Sequence, residues 1–121
     1  MKKHLTFILS FTFMMIFSQI ENIKNGEKIT LRIHYGFLNA GYATLTANQV
    51  NNRNASHYRV TGVGKTTGAT RAFFKVDDLN ESYINIATGL PSHYVRNVSE
   101  GGNKRLVETD FNHDNQTLVL T

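Results

Sequence analysis

The sequence predicts an all-β chain whose strands follow one another antiparallel, and three observations lead there. Apolar and polar residues alternate over long stretches. Turn-forming clusters recur at short intervals. No stretch after residue 18 carries a helical apolar stripe of useful length. Connections of two to eight residues join successive strands as neighbours, which is a meander. The expected object is an incomplete sheet or open half-barrel, preceded by an N-terminal signal helix.

The first residues read as an address label. Lys2, Lys3 and His4 form a basic start, Leu5 to Phe17 is uncharged and rich in Phe, Ile, Leu and Met, and Ser18 closes it. A basic start, a short apolar run and a small residue describe a secretory signal peptide. The run is too short for the roughly 20 residues that span a bilayer. We therefore divide the chain into a signal peptide, 1–18, and a single β-rich domain, 19–121. Membrane contact is expected only through the uncleaved signal. The whole chain has 13 basic and 9 acidic residues, net +4. Without Lys2 and Lys3 the counts are 11 and 9, net +2. No Lys/Arg cluster remains to mark a nucleic-acid partner. Cysteine is absent, which excludes disulfides, thiol catalysis and thiolate metal sites.

The alternation is clearest between Gly26 and Gly41. Ile29, Leu31, Ile33, Tyr35 and Phe37 alternate with Lys28, Thr30, Arg32, His34 and Gly36. Strand side chains point to opposite faces in turn, so the apolar set shares one face, expected to be a concave or core face. Leu38-Asn39-Ala40-Gly41 reads as the tight connection after it. A second strand spans 42–50, with Ala43, Leu45 and Ala47 on one face. Asn51-Asn52-Arg53-Asn54 is a turn, and a third strand spans 57–64. Residues 65–72 read as a loop or one helical turn, with Phe73 and Phe74 anchoring it on the core. Strands follow at 76–86, 93–99, 104–112 and from 117 onward. Turns lie at Ala87–Pro91, Glu100–Asn103 and His113–Gln116. The chain stops at Leu118-Val119-Leu120-Thr121 within a strand, and we expect it to be the N-terminal part of a longer protein.

Catalytic motifs are weak. Gly64-Lys65-Thr66 matches the end of a phosphate loop, but Arg59 stands where its first glycine belongs and no helix is expected after it. Asp110-x-Asn112-x-Asp114 begins a calcium-loop pattern, yet Thr121 occupies the position of the bidentate Glu. Asp77 and Asp78 face opposite ways on a strand and make no natural acid/base pair. His34, His57, His93 and His113 show no metal-ligand spacing. No nucleophile elbow exists. A polar cluster of Arg71, Lys75, Asp77 and Arg96 is the one constellation to follow, against the plainer reading of surface ion pairs. No cofactor and no catalytic residue is expected.

Several segments together resemble a known family. They are Tyr35-Gly36-Phe37-Leu38-Asn39-Ala40-Gly41, Gly62-x-Gly64-x-Thr66, Phe73-Phe74-Lys75-Val76-Asp77-Asp78, Glu81-Ser82-Tyr83-Ile84, Thr88-Gly89-Leu90-Pro91, Val95-Arg96 and Glu100-Gly101-Gly102. In this order and spacing the chain is similar to the exported family called domain of unknown function 3108, of Bacteroidetes-type bacteria. The resemblance implies an exported, envelope-associated β-rich protein, in the periplasm or outer envelope of a Gram-negative bacterium. It brings no established catalytic residues. Its members are typically about twice this length.

The aromatic content is the best lead to binding. Tyr35, Phe37, Tyr58, Phe73 and Phe74 are the candidates to line an apolar surface on a curved sheet, where Ala43, Ala47, Gly62 and Gly64 leave room. The expected function is non-catalytic binding of an apolar small molecule or lipid-like group. The alternatives are a structural module that recruits an envelope protein partner and, third, a hydrolytic enzyme completed by further C-terminal residues.

Overall fold

The structure, a computed structural model, describes residues 23–121. The expected signal peptide and signal helix, 1–18, lie outside the described residues. Seven strands form one antiparallel sheet in chain order: β1 (Glu27–Tyr35), β2 (Leu38–Asn52), β3 (Ala55–Thr66), β4 (Asp77–Asn85), β5 (Pro91–Glu100), β6 (Asn103–Asn112) and β7 (Thr117–Leu120). One short helix, α1 (Gly68–Phe73), sits between β3 and β4. The meander is thus as expected, and the described sheet does not close into a barrel.

Turn chemistry sets the register. Arg53 and Asn54 have φ of 50° and 61°, and Gly101 and Gly102 have φ of 57° and 92°. Positive φ at both central residues matches the twist of the flanking strands, so each pair closes a two-residue hairpin. From the second hairpin the pairing Glu100↔Asn103 runs unbroken to His93↔Asp110. From the first, Asn52↔Ala55 runs to Gly41↔Thr66.

The first connection differs from expectation. The turn is Gly36-Phe37, with Gly36 at φ 59°, and β2 already begins at Leu38. Leu38–Gly41 is strand, with a register shift between Ile33 and His34. Gly41 therefore serves another purpose. A Cβ there would overlap the carbonyl oxygen of Lys65 on β3, so the glycine permits close approach of two backbones.

Alternation and register define two faces. Ile29, Leu31 and Ile33 share one with Ala43, Leu45 and Ala47, and with Val60, Gly62 and Gly64. Lys28, Thr30 and Arg32 lie on the other, with Thr44, Thr46, Arg59, Thr61 and Lys65. Among the described residues no second sheet or long helix packs across this single layer, and its core is small. Among the described residues Tyr58 (8% exposed) and Val98 (6%) are the buried apolar side chains. The apolar face of β1 is not a core face: Ile29, Leu31 and Ile33 are each about half exposed (49%, 52% and 49%). Nor do the two phenylalanines anchor the loop on a core. Phe73 is 90% exposed at the end of α1, and Phe74 lies against Gly101 at the β5–β6 turn. Backbone bonds and a side-chain clasp hold the segment instead.

Candidate functional site

The five aromatic candidates do not converge. Tyr35 and Phe37 project from the first turn and are exposed, Phe37 completely. Phe73 and Phe74 lie at the same end of the sheet, because Gly41 of β2 pairs with Thr66 beside α1. Tyr58 is eight residues further along β3, about 26 Å away at strand rise, with its hydroxyl accepting from Gln49 Nε2 at 3.2 Å. Hydrophobic character alone did not distinguish a buried ring from one at a turn.

The polar candidates divide three to one. Arg71 grips Asp77 with two parallel bonds, Nη1 to Oδ1 at 3.0 Å and Nη2 to Oδ2 at 2.8 Å. The same Nη1 donates to the carbonyls of Thr66 (3.4 Å) and Val76 (3.3 Å). Val76 N–H donates to Thr66 Oγ1 at 2.9 Å, and Lys75 Nζ stands 3.7 Å from Asp77 Oδ2. These contacts tie the end of β3, the helix and the start of β4 into one clasp. The Arg71 hydrogen bonds hold the Asp77 carboxyl below its ordinary pKa against the opposing effect of desolvation, and Lys75 and Lys65 reinforce them. Arg96 is not part of this clasp. It pairs with Asn80 on β4, and Asn80 shares a face with Asp78. Asp77, one residue earlier, points to the opposite face.

A second cluster was not anticipated. Asp110 Oδ1 accepts from His93 Nδ1 at 2.7 Å and from Arg53 Nη2 at 2.6 Å. Glu108 stands 3.8 Å from His93 Nε2, and the Tyr83 ring lies 5.6 Å from the imidazole. The His93 bond first, then that of Arg53, holds the Asp110 carboxyl below its ordinary pKa. The pairing of His93 with Asp110 follows by counting back from the Gly101-Gly102 turn. Arg53 carries no such signal, since it sits in the β2–β3 turn and reaches over β4 and β5. Three strand spacings are about 14 Å, so this hairpin end curls across the polar face. His57 lies on that face too, 2% exposed. Its Nδ1 donates to the Ala55 carbonyl at 3.0 Å, and its Nε2 has no partner among the described residues.

The calcium-loop pattern is spent on local bonds. Asn112 Oδ1 accepts from the backbone of Asp114 and Asn115, an ordinary Asx turn, while Asp110 is engaged as above. Gly64-Lys65-Thr66 lies within β3.

What remains is an apolar surface on one face. Ile29, Leu31, Ile33 and Leu45 stand half exposed there. Next to them Ala43, Gly62 and Gly64 form a strip of small residues, with the Leu45 side chain leaning toward Gly62. Across it, in register with Leu45 and Gly62, come Asn80, Arg96 and Val107. Asn80 accepts from the Tyr94 hydroxyl at 2.8 Å, and Asp78 accepts from Ser99 N–H at 3.0 Å, so both polar groups beside the strip are engaged.

Fold and surface together define an open, single-layer β-meander with an apolar patch on one face of β1–β3 and polar clasps at its corners. The chain belongs to the family described as protein of unknown function (DUF3108), whose model matches residues 30–121. No curated protein and no solved structure matches it.

Proposed function

We propose that this is an exported, non-catalytic protein of the cell envelope that binds an apolar, lipid-like group on the apolar face of its sheet. One observation carries the reading. Ile29, Leu31, Ile33 and Leu45 lie side by side on β1 and β2, half exposed, and the adjoining positions on β3 are glycine. A contiguous apolar patch of this kind marks an interaction surface. The signal-like N-terminus supports export. Organic extraction and mass spectrometry of protein purified without detergent test the reading. A stoichiometric apolar compound is expected, and repeatedly empty preparations would refute it.

A structural or protein-recruiting role is the second reading. Every residue of β1 is exposed, and this edge strand of the described sheet carries no proline to block pairing. It predicts stable co-elution with an envelope protein and an empty lipid extract.

A further inference from the structure

We propose that the ligand is an anionic amphiphile, its acyl chain on the apolar face and its phosphate or carboxylate headgroup held by Arg96 and Arg105. The proposal rests on the apolar-face reading above and adds the headgroup chemistry. A surface cavity of about 360 Å³ lies at the tip of the β5–β6 hairpin, lined by Arg96, Val98, Glu100, Asn103, Lys104 and Arg105. Val98 pairs directly with Arg105, and Arg96 is two residues from Val98 on β5. By alternation the two arginines are therefore diagonal neighbours on one face, with buried Val98 as the floor between them.

That face is the one that carries the apolar patch of β1 and β2. Arg96 is opposite Asn80, Asn80 opposite Gly62, Gly62 opposite Leu45, and Leu45 opposite Ile29. One row thus runs from isoleucine and leucine, over glycine and an asparagine whose amide oxygen is taken by the Tyr94 hydroxyl, to arginine. From β2 to β5 it covers three strand spacings, about 14 Å, a length suited to a medium acyl chain. The cavity is also electrically unbalanced. Arg96, Lys104 and Arg105 carry three positive charges against the single carboxylate of Glu100, a balance of +2. None of these four forms an ion pair among the described residues. Two neighbouring guanidinium forks without a carboxylate partner present the geometry that binds phosphate or carboxylate oxygens in pairs.

The test is calorimetric titration of the full chain with dodecyl phosphate, dodecanol and inorganic phosphate, each below any micelle concentration. Dodecyl phosphate is expected to bind about tenfold or more tighter than dodecanol, the scale of one charge-assisted hydrogen bond. In the double variant Arg96→Gln/Arg105→Gln that preference is expected to vanish while dodecanol binding stays unchanged. Both arginines are exposed, so the variant is expected to melt with the wild type. Equal binding of the two dodecyl compounds, or a preference that survives the double variant, overturns the headgroup assignment alone. Inorganic phosphate binding as tightly as dodecyl phosphate reveals a simple anion site and overturns the amphiphile. Failure of both dodecyl compounds refutes the apolar-face reading and the proposal with it.

Discussion

One added methyl group should move stability in opposite directions at Gly41 and at Gly64. Both are strand glycines, and neither has a positive φ. At Gly64 the nearest atom to a new Cβ is the Asp78 Cβ at 3.9 Å, an ordinary contact. Gly64→Ala should therefore stabilise by about 0.5–1 kcal/mol, the usual cost of glycine within a strand. At Gly41 the same methyl overlaps the Lys65 carbonyl oxygen and lies 3.2 Å from Thr66 Cα. These are backbone atoms of the paired strand and cannot swing aside as a side chain does. Overpacking costs about 1–3 kcal/mol, and the backbone partner places Gly41→Ala toward the upper end, a net loss of about 1–2 kcal/mol after the glycine entropy is credited. The two variants then differ by about 1.5–3 kcal/mol. With a urea m-value of about 2 kcal/mol/M, their midpoints separate by roughly 0.7–1.5 M at unchanged m. Gly62→Ala calibrates the pair, because its one tight contact is with a side-chain atom, Leu45 Cδ2 at 3.3 Å, the Asn80 carbonyl oxygen lying at an ordinary 3.9 Å, and it should fall between them. Coincident midpoints, or a Gly41→Ala protein more stable than Gly64→Ala, would refute the close-approach argument.

Three further outcomes follow from the clusters and the apolar face. Asp77 and Asp110 have depressed carboxyl pKa values in the fold, so their contribution is complete above the unfolded pKa of about 3.9 and is lost as pH falls through the lower folded value. Arg71→Gln and Asp110→Asn should each flatten the acid limb of a stability–pH curve below about pH 4, and urea midpoints measured across that limb read this. Arg53→Ala removes an ion pair whose side chains are 59% and 45% exposed. It should cost no more than about 1 kcal/mol yet raise hydrogen exchange in the Asn52–Ala55 turn, and an unchanged turn would show that the bond does not hold the hairpin. Leu31→Ser, at a half-exposed position, should shift stability by less than about 1 kcal/mol while sharply lowering recovery of the extracted apolar compound, and undiminished recovery would move the site elsewhere.

Strand order was legible because period-two alternation and two-residue turns are local signals. Once Gly101 and Gly102 are read as the turn, counting outward gives Arg96 opposite Val107 and His93 opposite Asp110. The first hairpin misled because Asn39 and Gly41 look like turn residues, whereas Gly41 answers to a carbonyl on β3, some 24 residues away in sequence. Parity explains the misplaced Arg96: its distance from Asp77 along the chain gives no warning that the two occupy opposite faces until β4 and β5 are in register. Phe73 and Phe74 suggested a core because large rings are usually buried, but a single layer offers no second wall against them. The Arg53–Asp110 contact was beyond reach, since it depends on how the whole sheet curls.

The strand order also has a kinetic consequence. Because all seven strands lie in chain order, every backbone pairing forms between segments already adjacent along the polypeptide, and no long loop must close first. Few all-β topologies demand so little search. Folding can start at any of the three two-residue hairpins and spread strand by strand, as in a linear array of neighbours. The Arg53–Asp110 bond, which waits for β4, β5 and β6 to be in place, would then be among the last contacts made and the natural reporter of a finished sheet.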